Sequence, residues 1–146
     1  MTFSFLERRW SIVLLILLQM VPGCRGGSEH PEDAALAEAY KEKIGLSNLG
    51  LAQGENYLGD NFYYVRGTLT NTGERVLQRV ELTFLFKDSL GQVVLKETRA
   101  AVDYRGVRAL EAGASTTFQV GFEHLPRDWN YRVPQVEVAR LVLKRN

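Results

Sequence analysis

Few side chains in this sequence are of a type and spacing that could carry chemistry. Cysteine occurs once, at Cys24, so the chain has no internal disulfide framework and one thiol open to modification. The two histidines, His30 and His124, lie far apart, and neither has acids or thiols beside it at metal-ligand spacing. Serine, histidine and aspartate all occur, but no G-x-S-x-G elbow marks a nucleophile, and no glycine-rich phosphate cradle is present. The pattern therefore predicts no catalytic residue, no metal and no cofactor: a protein that is not an enzyme. Trp129 and Tyr131 are the candidate interaction residues, because exposed aromatics anchor interfaces and they flank Asn130 in a predicted loop. The competing reading packs them on the end of the domain. Arg99, Arg105, Arg108, Arg127 and Arg132 read as a solvated scatter, since acids interleave with them. With 18 basic and 17 acidic side chains the net charge is +1, which offers no basic face for nucleic acid.

The elements around these residues begin with a targeting segment. Arg8 and Arg9 precede an uncharged stretch whose apolar heart, residues 12–18, has the length of a signal-peptide core. A membrane-spanning helix needs about 20 apolar residues, which this run does not reach. Val21, Pro22, Gly23 and Cys24 follow, and small residues before a cysteine at this place resemble the lipobox of bacterial lipoproteins. Pro22 and Val21 depart from the commoner small residue and leucine, and Glu7 is unusual in the leader. The Arg8–Arg9 pair invites a twin-arginine reading, which its flanking residues fit poorly. The resemblance implies cleavage after residue 23, a thioether-linked diacylglycerol on Cys24, and a further acyl chain on the new amine. Two or more chains hold a protein firmly on a bilayer where one holds it reversibly. A free cysteine near an ordinary cleavage site, or an uncleaved anchor, remains open at this point.

Residues 24–45 read as the lipidated cysteine, a flexible tether and a short helix. The tether is polar and glycine-rich up to Pro31, and His30 belongs to it as a solvated side chain. Pro31 suits a first helical turn, Glu32 and Asp33 face the positive end of the helix dipole, and Gly45 is placed to stop the helix. Leu36, Ala39, Tyr40 and Ile44 share one narrow face, so the helix either docks on the following domain or spaces it from the membrane.

From Leu46 to Asn146 the period changes to two. Tyr63, Val65, Gly67 and Leu69 alternate with solvent types, as do Val80, Leu82, Phe84 and Phe86, and then Phe118, Val120 and Phe122. Turn signals stand at residues 71–74, 88–91 and 110–114. Val102 and Tyr104 continue the strand that follows Gln92 or form a short edge strand. Val136 and Val138 are out of phase with Leu141 and Leu143, which a bulge near Ala139 and Arg140 would reconcile. With Leu49 and Leu51 as a first strand, about seven strands are counted. The expected fold is all-β: an immunoglobulin- or fibronectin-III-like antiparallel sandwich, preceded by a signal peptide and a short N-terminal helix.

The run from Val65 to Gly73, the stretch from Phe84 to Asp88 with Gly91, and residues 110–113 with Phe118 resemble the FxLYD-type domain, a small immunoglobulin-like module of prokaryotic envelope proteins. Phe84 and Asp88 match its name-giving pattern, whereas Phe86 replaces the leucine and Lys87 the tyrosine. The resemblance covers roughly residues 46–125. It implies fold and envelope location and carries no activity with it. Gly67 is read as a point of close backbone approach and Asn71 as a turn residue.

Anchor, spacer and sandwich together point to a lipid-anchored, periplasm-facing envelope lipoprotein acting as a non-enzymatic protein-interaction or structural module. Arg25 after the cysteine is not the aspartate that favours inner-membrane retention, which points to the outer membrane. The alternative is a sandwich that binds a glycan, lipid or peptide with the loop aromatics around Trp129.

Overall fold

Two-residue alternation buries one side of each strand, and two such sheets can hide their apolar faces only against each other. The computed structural model describes residues 31–55, 59, 61–104 and 109–144. The signal peptide, Gly23, Cys24, the tether with His30, and Tyr57, Arg105 and Arg108 lie outside the described residues. Helix α1 (Pro31–Tyr40) runs through one 3-10 turn (Lys41–Lys43) into β1 (Ile44–Glu55), followed by β2 (Asn61–Asn71), β3 (Leu77–Lys87), β4 (Val93–Asp103), β5 (Ser115–Phe122) and β6 (Gln135–Leu143). They form two antiparallel three-stranded sheets, ordered β1-β2-β5 and β4-β3-β6. The all-β two-sheet expectation holds. Six strands, not seven, occur among the described residues, because residues 93–103 form one continuous partner of β3 rather than two short strands.

The core follows the alternating residues. Val65, Leu69, Val80, Leu82, Phe84 and Phe86 are fully buried, and Phe118, Val120 and Phe122 close the core from β5. Phe122 meets Phe84 and Phe86 edge-on, with ring centroids 5.1 and 4.9 Å apart, the arrangement ring quadrupoles favour. The phase change in β6 is resolved as expected. Leu82 pairs with Val138 and Glu81 with Arg140, leaving Ala139 bulged, so that Val136 and Val138 and then Leu141 and Leu143 all reach the same sheet face. A second bulge, in β1, sets Asn48 and Leu49 against Gly67. A Cβ on Gly67 would lie 2.7 Å from the Phe118 ring and 2.8 Å from Leu49. Glycine at 67 is therefore a packing requirement, set by the side chains of Phe118 and Leu49 rather than by the close backbone approach expected.

The helix is shorter than its stripe predicts. It ends at Tyr40, and Ile44 already has extended backbone as the first residue of β1. Of the predicted face only Tyr40 and Ile44 are buried, while Leu36 and Ala39 are exposed. Ala37 packs against the core beside Tyr40, which carries the hydrogen bonds that dock the helix. The Tyr40 hydroxyl sits against Gly73, lies 3.0 Å from Asn71 Oδ1 and 3.1 Å from the Arg75 carbonyl, and accepts the Arg75 N–H at 2.8 Å. Asn71 is fully buried at the centre of this junction. Its Nδ2 donates to the carbonyls of Arg75, Leu110 and Glu111 at 2.7, 3.3 and 3.1 Å. It is thus more than a turn residue, since it ties α1, the β2–β3 turn and the segment before β5 together.

Candidate functional site

Strand register sorts the loops to two ends. Ile44 opposes Asn71, and Leu77 opposes Leu143, so the passage from α1 into β1 and the Asn71 junction share one end. Glu55 opposes Asn61, Lys87 opposes Val93, and Tyr63 opposes Phe122, which places the 88–92 turn and the 123–134 loop at the other end. Both sequence-selected aromatics, Trp129 and Tyr131, lie at this second end, away from the helix.

Asp88 organises the hairpin turn, its Oδ1 accepting the N–H groups of Leu90 and Gln92 at 2.9 and 2.8 Å, with Gly91 at φ +82°. The 123–134 loop is pinned onto this turn. Asn130 N–H donates to the Lys87 carbonyl at 3.0 Å and Asn130 Nδ2 to the Asp88 carbonyl at 3.0 Å. Trp129 N–H closes back on the Pro126 carbonyl at 3.2 Å. These bonds turn the indole inward, and Trp129 is only 2% exposed. Its ring meets Phe86 and Tyr63 edge-on at 5.4 and 5.2 Å. Of the two readings of Trp129, the packed one holds: a covered ring offers no face for stacking a ligand. Its buried Nε1–H has no hydrogen-bond acceptor among the described residues.

Tyr131 behaves differently. It is 61% exposed, its ring lies 5.0 Å from that of Trp129, and its backbone is left-handed at φ +58°. Asn130 stabilises that conformation, its Oδ1 accepting Arg132 N–H at 3.0 Å. A non-glycine residue in this region costs on the order of 1–3 kcal/mol and persists where the surroundings over-determine it. Here they do, and the result is an exposed ring on a rigid platform. Leu90, at 79%, and Val133 add exposed apolar side chains on the same two loops, and Val93 adds one at the start of β4. Arg127, Asp128 and Arg132 are exposed in the 123–134 loop.

The remaining candidates are dispersed. Arg99 on β4 is paired with Glu97 at 2.7 Å and does not join Arg127 and Arg132. His124 borders a shallow depression with Phe62, Glu97, Arg99, Phe122 and Glu123, where no serine, threonine or cysteine is present. Among the described residues no group of three or more histidine, cysteine or acidic side chains is placed to hold a metal, and no helix is long and apolar enough to cross a membrane. Sequence reasoning missed Leu90, Val93 and Val133. The available signal was an unpaired leucine inside a tight turn, where a polar residue is usual.

No family model, no curated protein and no solved structure matches the chain.

Proposed function

We propose that this chain is an envelope lipoprotein, anchored through Cys24, that acts as a non-enzymatic protein-interaction module with an immunoglobulin-like sandwich. The observation that supports this reading most is the division of the domain into two ends. The chain passes from α1 into β1 beside Asn71, and the exposed apolar residues Leu90, Tyr131 and Val133, with Val93 at the start of β4, lie at the opposite end, where the two loops are hydrogen-bonded into one unit. Exposed apolar patches of a few hundred Å² on rigid loops mark interaction sites in soluble domains. Ligand binding in the manner of an aromatic stacking platform is less well supported, because Tyr131 would have to serve without the Trp129 face.

The test is photocrosslinking in membranes from a probe at Leu90, beside Tyr131→Asp and Val133→Asp variants. One reproducible protein adduct, lost in both variants while thermal stability is kept, is the expected result. Adducts that vary between preparations, or that persist in both variants, would overturn the reading.

A further inference from the structure

Strand β6 hydrogen-bonds to β3 on one side, and no described strand pairs with its other edge. Beside the second half of that edge stands α1, but it does not seal it. Ala34, Leu36 and Ala37 of the helix and Ala139, Val142 and Leu143 of the strand line a groove of about 630 Å³ between them. Native folds commonly cover a sheet edge with a helix. Here the cover is incomplete, since Leu36 is 37% exposed and, of the helix, Ala37 and Tyr40 are the residues packed against the core.

We propose that this edge is the docking site for an extended, acidic segment of a partner protein, which adds to sheet β4-β3-β6 as a fourth strand. Three observations converge on that occupant. An edge strand presents N–H and C=O groups in alternation, and only another strand satisfies both rows; lipid phosphates accept hydrogen bonds but do not donate to the carbonyls. The lining is apolar on both walls, suited to every second side chain of an incoming strand. Its charged rim carries Lys41, Arg75, Arg140 and Lys144 against Asp33 and Glu38, four basic minus two acidic side chains, or +2. A second copy of the chain is disfavoured on the same ground. Its β6 with the following residue would bring Arg140 and Lys144 against a single carboxylate, Glu137, two basic minus one acidic. This surface is separate from the loops around Tyr131.

The experiment uses the full chain in detergent with two labelled peptides, one alternating glutamate and valine, the other lysine and valine. Anisotropy reads binding, and amide hydrogen exchange reads its location. The glutamate peptide is expected to bind and to slow exchange across residues 139–144 by at least about tenfold, the lysine peptide to bind at least about tenfold more weakly. Leu36→Asp and Lys144→Glu, both at accessible positions, should each weaken the glutamate peptide by a similar factor, while Leu90→Asp should leave it unchanged. Absence of binding, equal binding of the two peptides, or protection elsewhere in the domain would overturn the proposal. So would protection of residues 139–144 by phosphatidylglycerol vesicles but not by peptide, which would assign the groove to the membrane. None of these results bears on the Leu90 crosslink, so the two readings fail separately.

Discussion

Replacing Asn71 by alanine removes a side chain that makes five hydrogen bonds from a fully buried position. The cost is not five times a single bond. The Leu110 carbonyl keeps the Leu77 N–H at 2.9 Å, the Glu111 carbonyl keeps Ala114 N–H at 3.2 Å, and the Tyr40 hydroxyl still reaches the Arg75 carbonyl. The Gly73 N–H alone loses the acceptor shown for it. Stranding that part-buried donor costs about 1–3 kcal/mol, and with a small cavity added a destabilisation of about 3 kcal/mol follows. For a domain near a hundred residues that is a fall in Tm of about 12–20 °C. Asn71→Asp sharpens the test. A carboxylate could still accept from Tyr40 and Gly73, but it would face the carbonyls of Arg75, Leu110 and Glu111 with no proton to donate. It should therefore cost more than alanine at neutral pH, although its shape is nearly unchanged, and acidification should recover part of the loss. Urea unfolding followed by Trp129 fluorescence measures both variants. A loss below about 1 kcal/mol for alanine, or aspartate milder than alanine, would refute the account of Asn71 as the donor that joins three segments.

Gly67→Ala should destabilise by about 1–3 kcal/mol through overpacking against Phe118 and Leu49, and Gly67→Ala with Leu49→Ala should recover part of that loss in the same unfolding assay. Trp129→Ala should cost about 3–5 kcal/mol, as for a core aromatic, whereas a surface anchor would cost little; thermal denaturation separates the two. Tyr131→Gly relieves the left-handed backbone while losing the ring contact with Trp129, so stability should change by less than about 1 kcal/mol while the Leu90 crosslink is lost. Intact mass of membrane-extracted protein should show loss of residues 1–23 and added acyl mass, both abolished by Cys24→Ala; an unmodified mass would remove the anchor from the proposed function.

The strands were legible because burial on one face of a sheet imposes a period of two. Val80 through Phe86 and Phe118 through Phe122 could be assigned to the core from spacing alone. The β6 bulge was legible for the same reason, because apolar residues on both phases of one strand can share a face only if one residue is displaced. The helix end was misread: Ile44 continues the apolar stripe, and nothing local reveals that Tyr40 would be captured by Asn71, 31 residues away. Trp129 stayed open between a packed and an exposed reading for a related reason. Its neighbours are loop residues, and only the bonds from Asn130 to the β3–β4 turn decide that the indole points inward.

By itself the sequence determined the all-β class and the inward residues of the central strands, since these follow from periodicity. Which strands share a sheet, where Asn71 finds its partners, which loop aromatic is covered and which edge stays open were decided by tertiary structure alone. Those outcomes depend on contacts between residues tens of positions apart, and no local pattern encodes which of several similar apolar or polar groups will meet.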